Sequence, residues 1–271
     1  MTILVTGATS NIGRMVVDRL IAAGASDIRA LTVDPVKAAL PEGVEVARGY
    51  LRRLDTLPAA FDGVDRMYLA PTPDNVVEVL DLARAAGVRH VVDLSGEPES
   101  WWGTVCKAVE GSGLDWTHLW PADFMENTLS WSQQIGAGGV IREPRPDMAT
   151  APIAMDDIAA VAATALLADD HRGRAHSLAG PEVLTRTELV AQLADALGRD
   201  ITLQRATRDE TVAALTPAMG EYAAWCVDNV LLGYTPAAES LPVTSVEDIT
   251  GRPATTFADW ARANASRFGT D

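Results

Sequence analysis

The sequence predicts an α/β protein: a Rossmann-type doubly wound parallel sheet followed by a small C-terminal α/β lobe. Three observations predict it. The chain opens on an apolar run, "TILVT", that enters a loop of small residues and leaves as an amphipathic pattern. Strand and helix patterns then alternate as far as about Pro121. Finally, 271 residues with 48% hydrophobic and 22% charged side chains suffice for a large core plus an added lobe. Alternating elements joined by right-handed crossovers give a parallel sheet covered on both faces. Its ligand site lies beyond the C-terminal ends of the strands.

Each element has its own justification. "NIGRMVVDRLIAAG" carries an apolar stripe at Ile12, Val16, Val17, Leu20 and Ile21 and stops at Gly24, which predicts a helix. "IRALTV" is the second strand, "VEVAR" the third after a turn, and "VDRMYLA" the fourth. "NVVEVLDLARAAG" is a helix closed by Gly87, "RHVVDLS" a fifth strand, "VCKAVEGSG" a helix and "DWTHLW" a sixth strand. Beyond Pro121 the pattern loosens. "MDDIAAVAATALLADD" predicts a helix capped near Met155 or Asp156, "AHSLAG" a strand, and "TRTELVAQLADALG" a helix capped by Thr185 or Thr187. "PAMGEYAAWCVDNVLLGY" reads as one helix, and "TTFADWARANASRF" as a last helix with Phe257 and Trp260 on one face. The expected division is a nucleotide domain over 1–150 and a substrate lobe over 151–271, interleaved with the sheet edge. There are no internal repeats and no low-complexity linker.

Composition excludes several function classes. A formal net charge of −15 repels phosphate backbones, so nucleic-acid binding is not expected. Any cationic site is local, and the chain has two lysines, Lys37 and Lys107. Cys106 and Cys226 stand far apart, with no CxxC to suggest a disulfide framework or zinc site. The opening apolar stretch lacks a basic region before it and is broken by Thr6, Gly7 and Asn11, unlike a signal peptide. No run approaches the ~20 apolar residues of a membrane span. A cytoplasmic protein that acts on a small molecule is expected, with its oligomeric state open.

The glycine loop is the strongest local feature. Gly7 and Gly13 flank "ATSNI" between a strand and a helix, the context that a dinucleotide-binding loop requires. Gly7 permits the tight turn, and Gly13 lets the helix pack close to the sheet. The N–H groups from Thr9 through Ser10 and Asn11 to Ile12 then face a pyrophosphate at the positive end of the helix. Ser10, where many such loops have a third glycine, has a hydroxyl to offer a phosphate.

The ordered set "VTGATSNIGR", "IRALTVDPVKA", "GVEVARGYL", "ARAAGVRHVVDLSG", "SGLDWTHLWPADFMEN", "MDDIAAVA", "HSLAGPEVLTRTELV" and "TGRPATTFADWA" spans nearly the whole chain. It resembles the NmrA-like, isoflavone-reductase-like branch of the atypical short-chain dehydrogenases. The resemblance implies a Rossmann domain with a small C-terminal lobe and an NADP(H) or NAD(H) cofactor. Members include reductases and redox-sensing regulators without turnover.

The end of the second strand bears on cofactor choice, since a carboxylate there binds ribose hydroxyls and a basic residue a 2′-phosphate. Where relatives usually carry arginine, this chain has Val33. Thr32, Arg14 and Lys37 are the candidate replacements, and Asp34 in its "DP" turn reads as a cap. NADP(H) is favoured over NAD(H). Tyr50 stands where relatives have aspartate; stacking on adenine is one reading and packing beside the loop the other, with Leu51 next to it. By the resemblance, "LAPTP" (Ala70, Pro71, Thr72) and "LSGE" (Ser95) run along the ribose and nicotinamide, and Pro121, Phe124 and Asn127 follow on the nicotinamide side.

The usual proton donor is missing. Short-chain reductases commonly use a tyrosine four residues before a lysine, which lowers its pKa. Gly103 precedes Lys107 by that spacing and Val33 precedes Lys37, so the pair does not occur. Trp101 and Trp102 stand where quinone-reductase-like relatives often have Lys-His. A dedicated donor being absent, Ser95, water or an acidic hydroxyl on the substrate remain as proton sources. Trp101, Trp102, Phe124, Asn127 and Trp131 are the candidate substrate contacts, with helix-start packing as the other reading of the paired indoles and Trp131 facing either pocket or lobe. Trp116, His90 and His118 read as core, Cys106 as an inert buried thiol, and His171 and His176 lack metal-ligand spacing. "GEPES" is no hydrolase elbow, because Asp93 occupies the first glycine position. The expectation is an NAD(P)H-dependent reductase of a ketone, quinone or enone, with a bulky aromatic, polyketide-like ketone favoured. A non-catalytic NADP sensor acting through a protein partner is the alternative.

Overall fold

The computed structural model describes residues 1–72, 74–100, 102–233 and 243–269, with the backbone alone at Val243 and Thr244. Strands form where the apolar runs are. They are β1 (Ile3–Val5), β2 (Ile28–Thr32), β3 (Glu45–Arg48), β4 (Arg66–Leu69), β5 (His90–Leu94), β6 (Asp115–Pro121), β7 (Val140–Glu143), β8 (Ala149–Thr150), β9 (Arg174–Leu178), β10 (Leu184–Thr185), β11 (Thr202–Arg205) and β12 (Val243–Thr244). Among the described residues eight make one sheet in the order β12-β9-β6-β5-β4-β1-β2-β3, every neighbouring pair parallel. The order reverses between β1 and β4, the switch point at which such sheets bind ligands. β4 and β5 are buried along their whole length, as strands covered on both faces must be.

The chain divides into two compact units, and both are discontinuous. The first comprises 1–121, 155–178 and 243–252; the second comprises 122–154, 179–242 and 253–271. A single boundary at 150 does not describe this. Residues 122–150 lie in the second unit, and 155–178 return to the first, adding a helix and a strand to the sheet.

In the first unit, the helix Asn11–Ala22 buries Ile12, Val16, Val17 and Leu20, while Ile21 is the exposed edge of the stripe. The helix Met155–Leu167 is apolar around most of its circumference and buried, so it is a core helix instead of a half-solvated one. It begins at Met155, with Asp156 inside its first turn, where Asp156 binds Arg19 of the helix Asn11–Ala22 (Nε to Oδ1 2.8 Å). The opposite layer, helices Val76–Ala85 and Gly103–Glu110, packs Val79, Leu80, Val105 and Val109 with Met67, Leu69 and Val91.

In the second unit, β7 pairs β11 in parallel and β8 pairs β10 antiparallel. Thr185 caps the helix Arg186–Leu197 with a reciprocal capping box to Glu188. The segment read as one helix from Pro217 to Tyr234 breaks. The helix Arg208–Met219 ends at Gly220 (φ 59°), a short helix Tyr222–Cys226 follows, and Val227–Leu232 winds as a π-turn; Tyr234 lies outside the described residues. The terminal helix Phe257–Ala263 stacks Phe257 on Trp260 with ring centres 5.6 Å apart, inside an apolar cluster with Trp131, Ile141 and Leu189.

Candidate active site

Because β1 to β5 are parallel, the loops that leave their C-terminal ends emerge on one edge of the first unit. The loop after β1 is shaped by its two glycines. Gly7 takes φ 59°, and a Cβ there would meet the Cβ of Ala70 at 3.0 Å. At Gly13 a Cβ would lie 2.2 Å from the Gly7 carbonyl oxygen, so the close approach of helix to loop excludes any side chain. Ser10 is the helix N-cap: Gly13 N–H donates to its Oγ at 3.3 Å, which leaves the Ser10 O–H free to donate. Among the described residues the N–H groups of Thr9, Asn11 and Ile12 have no backbone acceptor, as the open end of a helix requires. Such an end is an anion site, and the residues present fit a diphosphate.

The neighbouring loops are tied together. Thr6 Oγ1 donates to Tyr68 O and accepts from Ala70 N–H (2.9 and 2.8 Å), fixing the start of the loop after β4. The buried Thr72 hydroxyl is 2.7 Å from Asn75 Oδ1, and Asn75 Nδ2 donates to Leu51 O at 2.5 Å, linking the loops after β4 and β3. Pro71 lies between these anchors, and Leu51 is in the core, whereas Tyr50 beside it is exposed. Thr32 is buried at the end of β2. Asp34 accepts from the N–H groups of Val36 and Lys37 (3.2 and 3.3 Å), so its carboxylate caps a turn and no helix follows. Arg14 donates to Ala39 O (2.8 Å) and pairs with Asp18 (3.2 Å), while the exposed Lys37 lies 3.5 Å from Asp34.

Ser95 follows β5. Its N–H donates to Leu119 O at 3.1 Å, and its buried Oγ has no hydrogen-bond partner among the described residues. A buried hydroxyl without a partner is costly, and a ligand's oxygen would satisfy it. Trp102 precedes the helix Gly103–Glu110 and leans on the apolar layer of Val105 and Val109; Trp101 lies outside the described residues. Pro121 ends β6, paired in register with Leu178.

The other substrate candidates belong to the second unit. Phe124 forms a parallel bridge to Ile153. Asn127 and Trp131 line a cavity of about 300 Å³, together with Asp123, Glu143, Arg186 and Tyr222. Asn127 Nδ2 donates to Asp123 Oδ1 (2.6 Å), Arg186 Nη2 lies 2.9 Å from Asp123, and Trp131 Nε1 donates to Glu143 Oε1 (2.9 Å). Burial raises the Glu143 pKa above the usual carboxylate value, against the opposing pull of Arg186 and Trp131. Sequence reasoning did not find Asp123, Glu143 and Arg186, because nothing in their spacing brings them together.

His90, His118, His176 and Cys106 are core, with more polar connection than the sequence suggests. His90 Nε2 lies 2.9 Å from Thr117 Oγ1, whose proton goes to His171 O (2.9 Å). His118 Nδ1 lies 2.6 Å from Asp93 Oδ2, and its Nε2 lies 3.5 Å from Cys106 Sγ. Burial, then the charges of Glu110 and Asp93, push the Cys106 thiol up to about 11, so as an isolated group it is unreactive.

A family model described as NAD(P)H-binding matches residues 7–97, the segment that holds this loop edge. The chain is 37% identical to the (4-alkanoyl-5-oxo-2,5-dihydrofuran-3-yl)methyl phosphate reductase of Streptomyces griseus, across 98% of this chain and 99% of that one. The chain belongs to the NmrA-like, NAD(P)H-binding atypical short-chain dehydrogenase/reductases. This reductase is also 35% identical to the NAD(P)H azoreductase of Xenophilus azovorans, across 98% and 99% of the two chains. The NADPH-dependent quinone oxidoreductase of Escherichia coli superposes with a TM-score of 0.83 at 25% identity, covering 97% of this chain and 99% of that one. Like its relatives, it is an NAD(P)H-dependent oxidoreductase that binds a nicotinamide cofactor. No helix among the described residues is long and apolar enough to cross a membrane.

Proposed function

We propose that this reductase transfers hydride from NADPH to the carbonyl of a conjugated ketone or quinone, with the Ser95 hydroxyl directed at the carbonyl oxygen. The observation that carries the reading is the buried, unpartnered Ser95 Oγ at the C-terminal end of β5. The relatives' substrates support the class: an alkanoyl-furanone phosphate, an azo compound and a quinone are all conjugated, electron-poor acceptors. When bound, the dihydronicotinamide supplies the hydride. Ser95 donates a hydrogen bond as negative charge builds on the substrate oxygen, and buried donors of this kind strengthen most in the transition state. The proton that completes the alcohol comes from a hydroxyl adjacent to the carbonyl on the substrate itself, or from water. An aromatic ketone with a neighbouring phenol meets that need without a Tyr-x-x-x-Lys pair.

NADPH is preferred over NADH in this reading. Asp34 Oδ1 accepts from two backbone N–H groups, so its carboxylate serves the turn, while Arg14 and Lys37, paired with Asp18 and Asp34, and the Thr32 hydroxyl are the groups to meet a 2′-phosphate. The test follows NADPH absorbance with a panel of aromatic ketones and quinones. Turnover is expected with members of the panel, and Ser95→Ala should lower kcat by about 10²-fold or more. Arg14→Ala should lower the ratio of kcat/KM for NADPH over NADH about tenfold. No oxidation across the panel overturns the substrate class; unchanged kcat in Ser95→Ala overturns the role of Ser95 alone.

A further inference from the structure

We propose that Cys106, Glu110 and His118 form a divalent-metal site of the zinc type, with Asp93 holding the imidazole from behind. The site lies within the first unit. Cys106 and Glu110 are four residues apart on the helix Gly103–Glu110 and therefore share a face. His118 is on β6, and Asp93 is its register partner on β5. The Cys106 sulfur, a Glu110 carboxylate oxygen and His118 Nε2 all lie within 4.8 Å of one another. Sγ is 3.5 Å from Nε2, and Nε2 is 3.8 Å from Glu110 Oε1. Tetrahedral zinc, with bonds of about 2.0–2.3 Å, sets its ligand atoms roughly 3.3–3.6 Å apart, so only a small movement of the Glu110 side chain completes the arrangement.

Three further observations point the same way. His118 Nδ1 is committed to Asp93 Oδ2 at 2.6 Å, which turns Nε2 toward the cysteine; a carboxylate behind a histidine is how proteins orient metal-ligating imidazoles. Trp116 and Trp120 stack on either side of the imidazole, with ring centres 4.3 and 5.7 Å away, and hold its plane. Asp93 is fully buried, and its Oδ1 has no partner among the described residues, so a cation beside His118 would offset an otherwise poorly compensated negative charge. Cys106 and His118 are buried, and the half-exposed Glu110 opens the site to solvent. One thiolate, one imidazole and one carboxylate form a borderline-soft set that suits Zn²⁺ or Co²⁺ over Mg²⁺ or Ca²⁺, with the fourth position left for water. On ligation the thiol gives its proton to solvent.

The test titrates Co²⁺ into the chelator-treated, reduced full-length chain and follows the thiolate-to-cobalt charge-transfer band and the visible bands of a tetrahedral ion. The expected result is saturation at one equivalent, displacement by Zn²⁺, and loss of the charge-transfer band in Cys106→Ser. Asp93→Asn should weaken binding by about 10–100-fold. Glu110→Gln, at the exposed rim where the fold is not at stake, should weaken it about tenfold or more. No charge-transfer band in the wild-type chain overturns the proposal and leaves an S–H···N hydrogen bond between Cys106 and His118. Equal affinity in the wild type and Glu110→Gln overturns the ligand set, whatever becomes of the Cys106 variant.

Discussion

Ser10 occupies a position that dinucleotide-binding loops often give to glycine, and its hydroxyl has a structural task there. It accepts the Gly13 N–H and caps the helix that begins at Asn11. Ser10→Ala should therefore cost about 1 kcal/mol in urea unfolding, and Ser10→Gly only a few tenths. Two buried histidines make a separate prediction. Burial, with nearby Arg66 and Arg172, lowers His90 to about 4; burial, with His171, lowers His176 to about 4. Both titrate near 6.5 in the unfolded chain. Between those values the unfolded chain binds more protons, so stability is full above about pH 6.5 and falls as pH drops toward 4. Urea midpoints measured across that range should show the fall, and His90→Gln should remove roughly half of its slope. An unchanged slope would mean that His90 is already protonated in the folded protein. The positions of the glycine loop and of Ser95 at strand ends were legible because each follows a short apolar run. The Asp93–His118–Cys106 connection was not, because its members are 25 and 12 residues apart and only the β5–β6 register and the adjoining helix unite them.

The longer elements of the first unit were legible, since each apolar run or stripe has a single burial solution in a parallel sheet, whereas the short helices Pro58–Phe61 and Val246–Thr250 and the two-residue β12 were not. The helix Met155–Leu167 owes its place to its alanines, which let it approach the sheet and the helix Asn11–Ala22 closely; Ala159, Ala162 and Ala165 are fully buried. Ala162→Leu should overpack this layer and cost about 1–3 kcal/mol in urea unfolding. A neutral result would show the layer to be loosely packed. The second unit was read less well, for physical reasons. β8 and β10 are two residues long, and β7 finds its parallel partner β11 some 60 residues later, so neither pair has a local signature. The helical pattern from Pro217 onward hid a break because Gly220 is tolerated in a helix by sequence but here takes a positive φ.

At the scale of the whole molecule, the sheet gathers five loop ends on one edge, and the open helix end at the Gly7–Gly13 loop offers a local anion site in a chain whose net charge is −15. The expected two-part division was legible in outline, but not the return of 155–178 to the sheet, which depends on contacts between distant segments. In the proposed function, backbone N–H groups grip the dinucleotide where Gly13 lets helix and loop meet. Calorimetric titration of NADPH into the wild-type chain and into Gly13→Val, with circular dichroism to confirm that both are folded, tests this most directly. Saturable heat at one NADPH per chain is expected in the wild type, and its loss in the folded variant. No heat in the wild type, or equal binding by the two, would contradict it.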